Sequence, residues 1–511
     1  MSLFLSMNHP SVAELAREFV DRGIDLKAVE SGYTRRLYSL RLPGVQVLDT
    51  RNYRHANKIV NLNENKEVDI SQTKFDEFKK CEIEFLTITD RLSFYPKSVK
   101  YRTYLYRQLL RYWLKYFMEN DSIDMVLFRE APHVGYDIVI YYVARHFNIK
   151  TYYPEPTKLG FYYIMRKFHD KYEKVPENYL AGYQEEQIIK SIGKEEFSRV
   201  FYDVETAVDT AKNQAASGKQ QVQLRKDEAT FAQSMVRKVS NNIGRFTYWF
   251  RKRSLSVTDF DFGETSVLKY KFLALKRKRA VKELKRFYLD NCIEPELDNK
   301  FVFFALHLQP EKTSSPLLGG AFEDQAFALE VLSKSVPKEW IIYVKEHSLT
   351  FYSGFLAGND FGLLHSVAQI NCRSLKDYQR MLDLPNVKFV RPEYSSQTLI
   401  DKAEATATIT GTAGWQSLLA KKCCIAFGYP WYVGCNSVYR VASTEECVMA
   451  MAHINEKSSI DTWLDLLKFI AYYKSIFIYL EDFSCHYKNE NLRQRASKQN
   501  VTEFMSYFSN Q

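Results

Sequence analysis

Four residues, Gly411-Thr412-Ala413-Gly414, stand between a run of small and branched residues over 405–410 and a short apolar stretch over 415–420. The first run suits a strand, the second a helix, and 423–427 suits a further strand. A strand, a glycine turn and a helix opening within four residues leave backbone N–H groups unpaired at the helix start. Those donors and the helix dipole both favour a phosphate or a carboxylate. The same spacing also serves an ordinary βαβ turn whose glycines only permit close packing. Two other loops carry reactive side chains. His307-Leu308-Gln309-Pro310-Glu311-Lys312-Thr313-Ser314 follows an apolar strand over 301–306, and Lys345-Glu346-His347 follows one over 340–344. If these strands are parallel, all three loops share one edge. Together they offer a carboxylate, an amine, an imidazole, hydroxyls and a helix N-terminus. That set suits a sugar nucleotide, with cations and N–H groups for phosphate and a carboxylate as general base or nucleophile. Ser395 and Ser396 open another helix nearby and add hydroxyls, although serines there serve equally as caps. Plainer uses stay open: a structural histidine, a solvated Glu311, an exposed Lys345–Glu346 ion pair worth little.

The elements that must hold these loops alternate between strand and helix. From Lys300 onward the pattern gives strands at 301–306, 340–344 and 387–390, helices at 324–335 and 396–403, and then the glycine segment. A long helix is expected over 463–480, with a polar tail after Lys488. Residues 1–175 alternate in the same way: a strand at 3–7, then a helix at 11–21 with Ser11 as N-cap and Glu14 completing a capping box. A strand at 45–49 and a helix at 102–118 come next, followed by a strand at 124–128, a helix at 136–147 and a strand at 150–153. Such alternation implies parallel, doubly wound sheets, whose ligands bind beyond the carboxyl ends of strands. Arg129-Glu130-Ala131-Pro132-His133 falls at one such end. Residues 176–295 are polar, charged and helical in pattern, and read as a helical, basic insert or linker. The expected division is 1–175, 176–295, 296–455 and 456–511.

At 511 residues the chain is too long for one core, and 46% hydrophobic residues can fill two. No apolar run is long enough for a transmembrane helix, and the first residues lack the features of a signal peptide. Eight scattered cysteines without a CxxC pair point away from zinc and towards a reducing, cytosolic compartment. The net charge of +10 gathers in aromatic-rich stretches at 101–117, 245–253 and 269–288. These suit a membrane surface, a lipid-linked phosphate or nucleic acid, or are solvated helix faces with their aromatic residues turned inward.

The stretches FFALHLQPEKTSSPLLGG…DQ, WIIYVKEH, LPNVKFV…SSQTLI and TITGTAGWQSLLAKKCCIAFG resemble the bacterial surface-polysaccharide biosynthesis proteins, including the Kdo transferases of the capsule-synthesis family. The likeness covers about 301–432 and extends more weakly to FREAPHVGYDIVIYYVARHFNIKTYY. It implies an α/β chain of two Rossmann-like domains, GT-B-like, with a helical insert between them. It also implies a metal-independent, cofactor-free glycosyltransferase that uses a nucleotide sugar, often a CMP-linked ulosonic acid. By the same resemblance Glu311 is the catalytic carboxylate, with Gln309 beside it, and His347 holds the donor phosphate. Ser348 replaces the proline of that histidine motif. Gly411, Thr412, Ala413 and Gly414 bind the nucleotide phosphate, with Lys345, Ser395 and Ser396 nearby. Gln416 stands where the family often has Glu, which bears on nucleotide preference. Glu130, His133 and Arg129 face the acceptor or the transferred sugar, Glu130 as a catalytic group.

The expected protein is therefore a transferase of Kdo or a related ulosonic acid onto a lipid-linked or growing glycan, without nucleic acid. It would work in the cytoplasm, peripheral at the inner face of the bacterial inner membrane, docked on anionic lipid through its basic helices. A nucleotide-sugar epimerase, which needs no acceptor, and a non-enzymatic anion- or nucleic-acid-binding protein are the alternatives.

Overall fold

The computed structural model describes residues 1–9, 11–50, 53, 71–91, 98–157, 159, 162–166, 173–193, 267–309, 319–347, 350–351, 373–474, 477–481 and 490–510. Glu311, the basic stretch 245–253 and most of the expected insert lie outside them. Fourteen described strands build two seven-stranded sheets. The first holds β1 (Ser2–Ser6), β2 (Asp25–Ser31), β3 (Gln46–Asp49), β4 (Met125–Phe128), β5 (Lys150–Pro156) and β6 (Tyr162–Arg166). The second holds β7 (Cys292–Ile293), β8 (Phe301–Ala305), β9 (Ile341–Lys345), β10 (Val387–Val390), β11 (Ala405–Thr408), β12 (Cys423–Ala426) and β13 (Val438–Arg440). β14 (Phe477–Tyr479) returns to the first sheet.

The first sheet runs β14-β6-β5-β4-β1-β2-β3 and the second β13-β12-β11-β8-β9-β10-β7. All pairings are parallel except β5 with β6 and β6 with β14. Each sheet is thus wound outward from one strand, returns to its other side and continues: β1-β2-β3 then β4-β5, and β8-β9-β10 then β11-β12-β13. That is the doubly wound order, and it fixes two reversal points, between β1 and β4 and between β8 and β11.

β8, Phe-Val-Phe-Phe-Ala, is apolar without alternation because helices cover both faces of the sheet. Val302 and Phe304 join the core with Leu329, Tyr378 and Phe389. Phe301 and Phe303 join Leu399 and Ile400 on the other face. Trp415 and Leu418 belong to a further core on the side of Cys424 and Ala426, together with Leu159 and Ile164 from the first lobe.

Three expectations change. The final helix spans Ser459–Tyr473, and the chain then forms β14 instead of continuing as helix. The expected polar tail contains a 20-residue helix, Glu490–Ser509. Its Val501 and Phe504 are spaced three apart and wholly buried, with Phe504 stacked 6.4 Å from Phe19. Few apolar residues suffice because only one stripe of this helix meets the core. Ser11 makes no side-chain cap bond. Glu14 is drawn instead to Arg493 of that last helix, 3.1 Å away, so the capping box does not form. Of the expected helical insert, Glu185–Ile192 packs on Ser459–Tyr473 and Val267–Asp290 leads into β7.

Candidate active site

β8 pairs in parallel with both β9 and β11, so the loops singled out in the sequence do lie at one sheet edge. The helix after β11 is Thr412–Leu419, three residues earlier than the apolar pattern suggested. Helices Gln325–Ser335, Leu375–Leu382, Ser396–Lys402, Thr444–Glu456 and Ser459–Tyr473 each start on an Asp or Ser whose side chain accepts a backbone N–H. Thr412–Leu419 starts on Gly411 with no side-chain cap. Thr412 is exposed there, and Gly411 and Ala413 are half-buried.

The turn before that helix is braced from below. The buried His307 Nε2 lies 2.9 Å from Thr408 Oγ1 and accepts the Thr410 N–H at 3.3 Å. Accepting that bond places the ring proton on Nδ1. Thr408 Oγ1 in turn accepts the Gly411 N–H at 3.1 Å. The Tyr432 hydroxyl, which burial holds protonated, donates to the Gly411 carbonyl. A β-carbon on Gly411 would stand 2.7 Å from Thr408 Oγ1 and 2.9 Å from His307 Nε2. One on Gly414 would stand 2.5 Å from Cys424 Sγ. Both glycines therefore answer close approaches. The braces occupy the amides of Thr410 and Gly411 and leave the helix start facing outward.

On the other side of β8, Glu346 is wholly buried and not part of an exposed pair with Lys345. Its Oε2 accepts from Tyr378 Oη at 2.6 Å and lies 3.1 Å from Arg373 Nε. Its Oε1 accepts the His347 N–H at 2.8 Å. Lys345 donates to the carbonyls of Pro392 and Tyr394 at 3.2 and 3.0 Å, and burial lowers its pKa to about 8. Ser395 Oγ accepts the Thr398 N–H at 3.2 Å as an N-cap, and Ser396 begins the helix it caps. Gln309 donates to the Glu323 carbonyl at 2.8 Å. It also lines a cavity of about 210 Å³ with Leu284, Thr350, Arg373 and Leu375. Leu284 shares the core of Val302 and Phe304, so this cavity opens on the sheet face opposite Trp415.

In the first sheet, the loop after β4 holds Arg129, Glu130 and His133. Arg129 Nη1 and Glu130 Oε1 are 3.6 Å apart, and burial lowers the Arg129 pKa. Asp137 accepts the amides of His133, Val134, Gly135 and Ile138 at 2.7, 2.8, 2.9 and 2.9 Å. The helix Tyr136–His146 thus has its N-terminus filled by its own carboxylate, unlike Thr412–Leu419. Across the reversal point, His9 follows β1, and its Nδ1 accepts the Ser11 N–H at 3.1 Å. Sequence reading passed over Arg373, Tyr378, Tyr432, Asp137 and His9. Only Asp137 carried a local signal, as an acidic residue in the first turn of a helix.

With this geometry in place, comparison with known proteins is decisive for one segment. Residues 264–436 match the family of capsule polysaccharide biosynthesis proteins. That segment contains β8 to β12, His307, His347, Glu346, Arg373 and the Gly411–Gly414 turn. No curated protein matches the chain. Among solved structures, the β-Kdo 2,7 transferase of Thermosulfurimonas dismutans KpsC is 13% identical, with 47% of this chain and 67% of that one covered and a TM-score of 0.23. The β-Kdo 2,4 transferase of the same protein is 17% identical, over 44% and 63%, TM-score 0.23. A Methanocaldococcus jannaschii UDP-GlcNAc 2-epimerase is 11% identical, over 92% and 100%, also at 0.23. Overlaps this loose leave the fold to be read from the chain's own strand order, and the family likeness is that of residues 264–436.

Proposed function

We propose that this protein is a glycosyltransferase that moves Kdo or a related ulosonic acid from a CMP-activated donor to a lipid-linked or growing surface glycan. The observation that carries the reading is the uncapped start of Thr412–Leu419. It lies at the β8/β11 reversal point, inside the capsule-synthesis segment. Open α/β sheets bind ligands at such a point, and a free helix N-terminus favours a phosphate there. The matching helix start in the first sheet already holds Asp137, which disfavours a second anion. The donor therefore goes to the second sheet and the uncharged hydroxyls of an acceptor to the first.

In this reading the amides of Thr412 and Ala413 and the imidazole of His347 stabilise charge on the departing phosphate. Preorganised donors of this kind usually supply the largest catalytic term. Glu311 acts on the transferred sugar as base or nucleophile. Glu130, with Arg129 and His133, meets the acceptor. The chemistry as written needs no metal or cofactor. Anionic lipid at the inner face of the membrane is the proposed location. Among the described residues, no helix is long and apolar enough to cross a membrane.

The test is thermal stabilisation of the full chain by CMP, CDP, UDP and GDP at millimolar concentration, which rises as ln(1 + [L]/Kd). A shift with CMP that His347→Ala removes is expected. A shift only with UDP or GDP overturns the donor. Conversion of a nucleotide sugar with no acceptor present overturns the transferase and makes the protein an epimerase. Glu311→Gln should abolish transfer while the CMP shift persists.

A further inference from the structure

We infer that the buried pair Glu346–Arg373 is the positioning element of this site, one strut that sets the backbone of both His307 and His347. Glu346 Oε1 accepts the His347 N–H at 2.8 Å and the Thr350 hydroxyl at 3.1 Å. Arg373 Nε lies 3.1 Å from Glu346 Oε2, and its Nη2 donates to the His307 carbonyl at 3.2 Å. The loop after β8 and the loop after β9 are therefore joined through a single guanidinium. Tyr378, held protonated by burial beside Glu346, closes the other side of the carboxylate.

Stability alone does not account for the pair. Two charges this deeply buried cost much of what their attraction returns, and apolar replacements of similar volume are often neutral or stabilising. Geometry does account for it. A guanidinium offers several donors in a fixed plane, so it can hold a carboxylate and a carbonyl at one set angle. Both groups lie on the sheet face of Tyr288 and Tyr378, whereas the anion turn is braced on the other side by Thr408 and Tyr432 as well as by the His307 imidazole, so it keeps two braces that the strut does not touch. Glu346 and Arg373 therefore act through His307 and His347 and are positioning residues. Only the turnover arm of the test rests on the transferase reading.

The experiment compares the full-length wild type with Arg373→Met, Glu346→Gln and the double variant Glu346→Leu/Arg373→Met. Arg373→Met alone leaves a bare buried carboxylate and should lower Tm by roughly 5–10 °C. The double variant should recover most of that. Hydrogen exchange then reads peptides covering 306–309, 345–351 and 408–414. In the double variant the first two should exchange about tenfold faster together, while 408–414 stays protected. The 306–309 peptide decides, because Gln325 holds the His307 amide at 2.8 Å and its carbonyl at 3.4 Å in every variant, so added exchange there reports the loss of Arg373. Wild-type exchange at 306–309 in the double variant overturns the inference. Glu346→Gln keeps Arg373 on the His307 carbonyl and should leave 306–309 at the wild-type rate, and Arg373→Met, read below its Tm, gives the decisive comparison if the double variant does not fold. With a donor and acceptor in hand, the double variant should lose about 100-fold in kcat, the cost of roughly 1 Å of misplacement, and show a smaller CMP shift than the wild type because His347 is displaced. Restored Tm with wild-type kcat would make the pair purely structural. Absence of any nucleotide shift in the wild type would sink the transferase reading, yet exchange at 306–309 would still decide the strut.

Discussion

Gly411 has no side chain because His307 and Thr408 fill the space one would need. Its φ of −74° is open to any residue, so the constraint is contact and not backbone strain. Gly411→Ala must push the imidazole or the helix start aside, costing about 1–3 kcal/mol. It should also weaken the CMP shift more than it lowers Tm, as paired melts with and without nucleotide would show. Lys345 gives a test by pH. Burial lowers its pKa to about 8 from 10.5. Between those values the unfolded chain binds a proton that the native chain lacks, so this group makes stability rise with pH across that window. Below about 8 both states carry the charge and the contribution is flat. Lys345→Met should remove that rise in urea midpoints measured from pH 7 to 10. If the mutant keeps the wild-type slope, the amine is not desolvated as described. At this scale the glycines and His347 were legible, because turns and strand ends announce themselves locally. Arg373 was not. It stands just before a Ser-x-x-Asp capping signature, and nothing in its spacing connects it to Glu346, which precedes it by 27 positions and arrives on another strand.

Among elements, Val99–Glu119 shows how one segment satisfies two readings. Its Tyr106, Trp113, Tyr116 and Phe117 are buried in the first core, with Phe4 packed 5.9 Å from Trp113. Lys100, Arg107 and Arg111 are exposed along the opposite stripe, beside Tyr104 and Met118. The aromatic residues therefore serve the core, and the outward face is basic with a few apolar side chains, which supports the proposed contact with anionic lipid. Each basic residue near such a surface contributes about 1 kcal/mol, so Arg107→Glu/Arg111→Glu should weaken sedimentation with phosphatidylglycerol vesicles at least about 30-fold. Unchanged, salt-insensitive sedimentation would remove this face from consideration. Nine of the fourteen described strands were readable from apolar runs, whereas β6, β7 and β13 were not singled out. β2 was missed, because Lys27 and Glu30 interrupt its apolar run, although Glu30 is buried and accepts from Ser6 Oγ at 2.8 Å. β14 was missed because Phe-Ile-Tyr continues the apolar pattern of the helix before it.

For the whole molecule, two doubly wound sheets were visible in the alternation of strands and helices, but the return of the chain was not. β14 pairs with β6, and Glu490–Ser509 packs on Val12–Asp21, with Arg493 on Glu14. Sequence alone gave no partner for a helix whose apolar stripe is so narrow. Phe504→Ala should therefore cost the full chain about 3–5 kcal/mol in urea unfolding, as a core deletion does, although its position reads as a polar tail. A loss under about 1 kcal/mol would mean that the last helix only rests on the surface. The closure also sets an order of events during synthesis. The second lobe is continuous in the chain and can close as soon as it leaves the ribosome. The first lobe emerges earlier but lacks one strand and one covering helix until about 300 further residues are made. At ribosomal speeds that is a wait of roughly 15–60 s. Through that interval the nascent first lobe presents the edge of β6 and the face of Phe19 to solvent, a natural holding site for a chaperone.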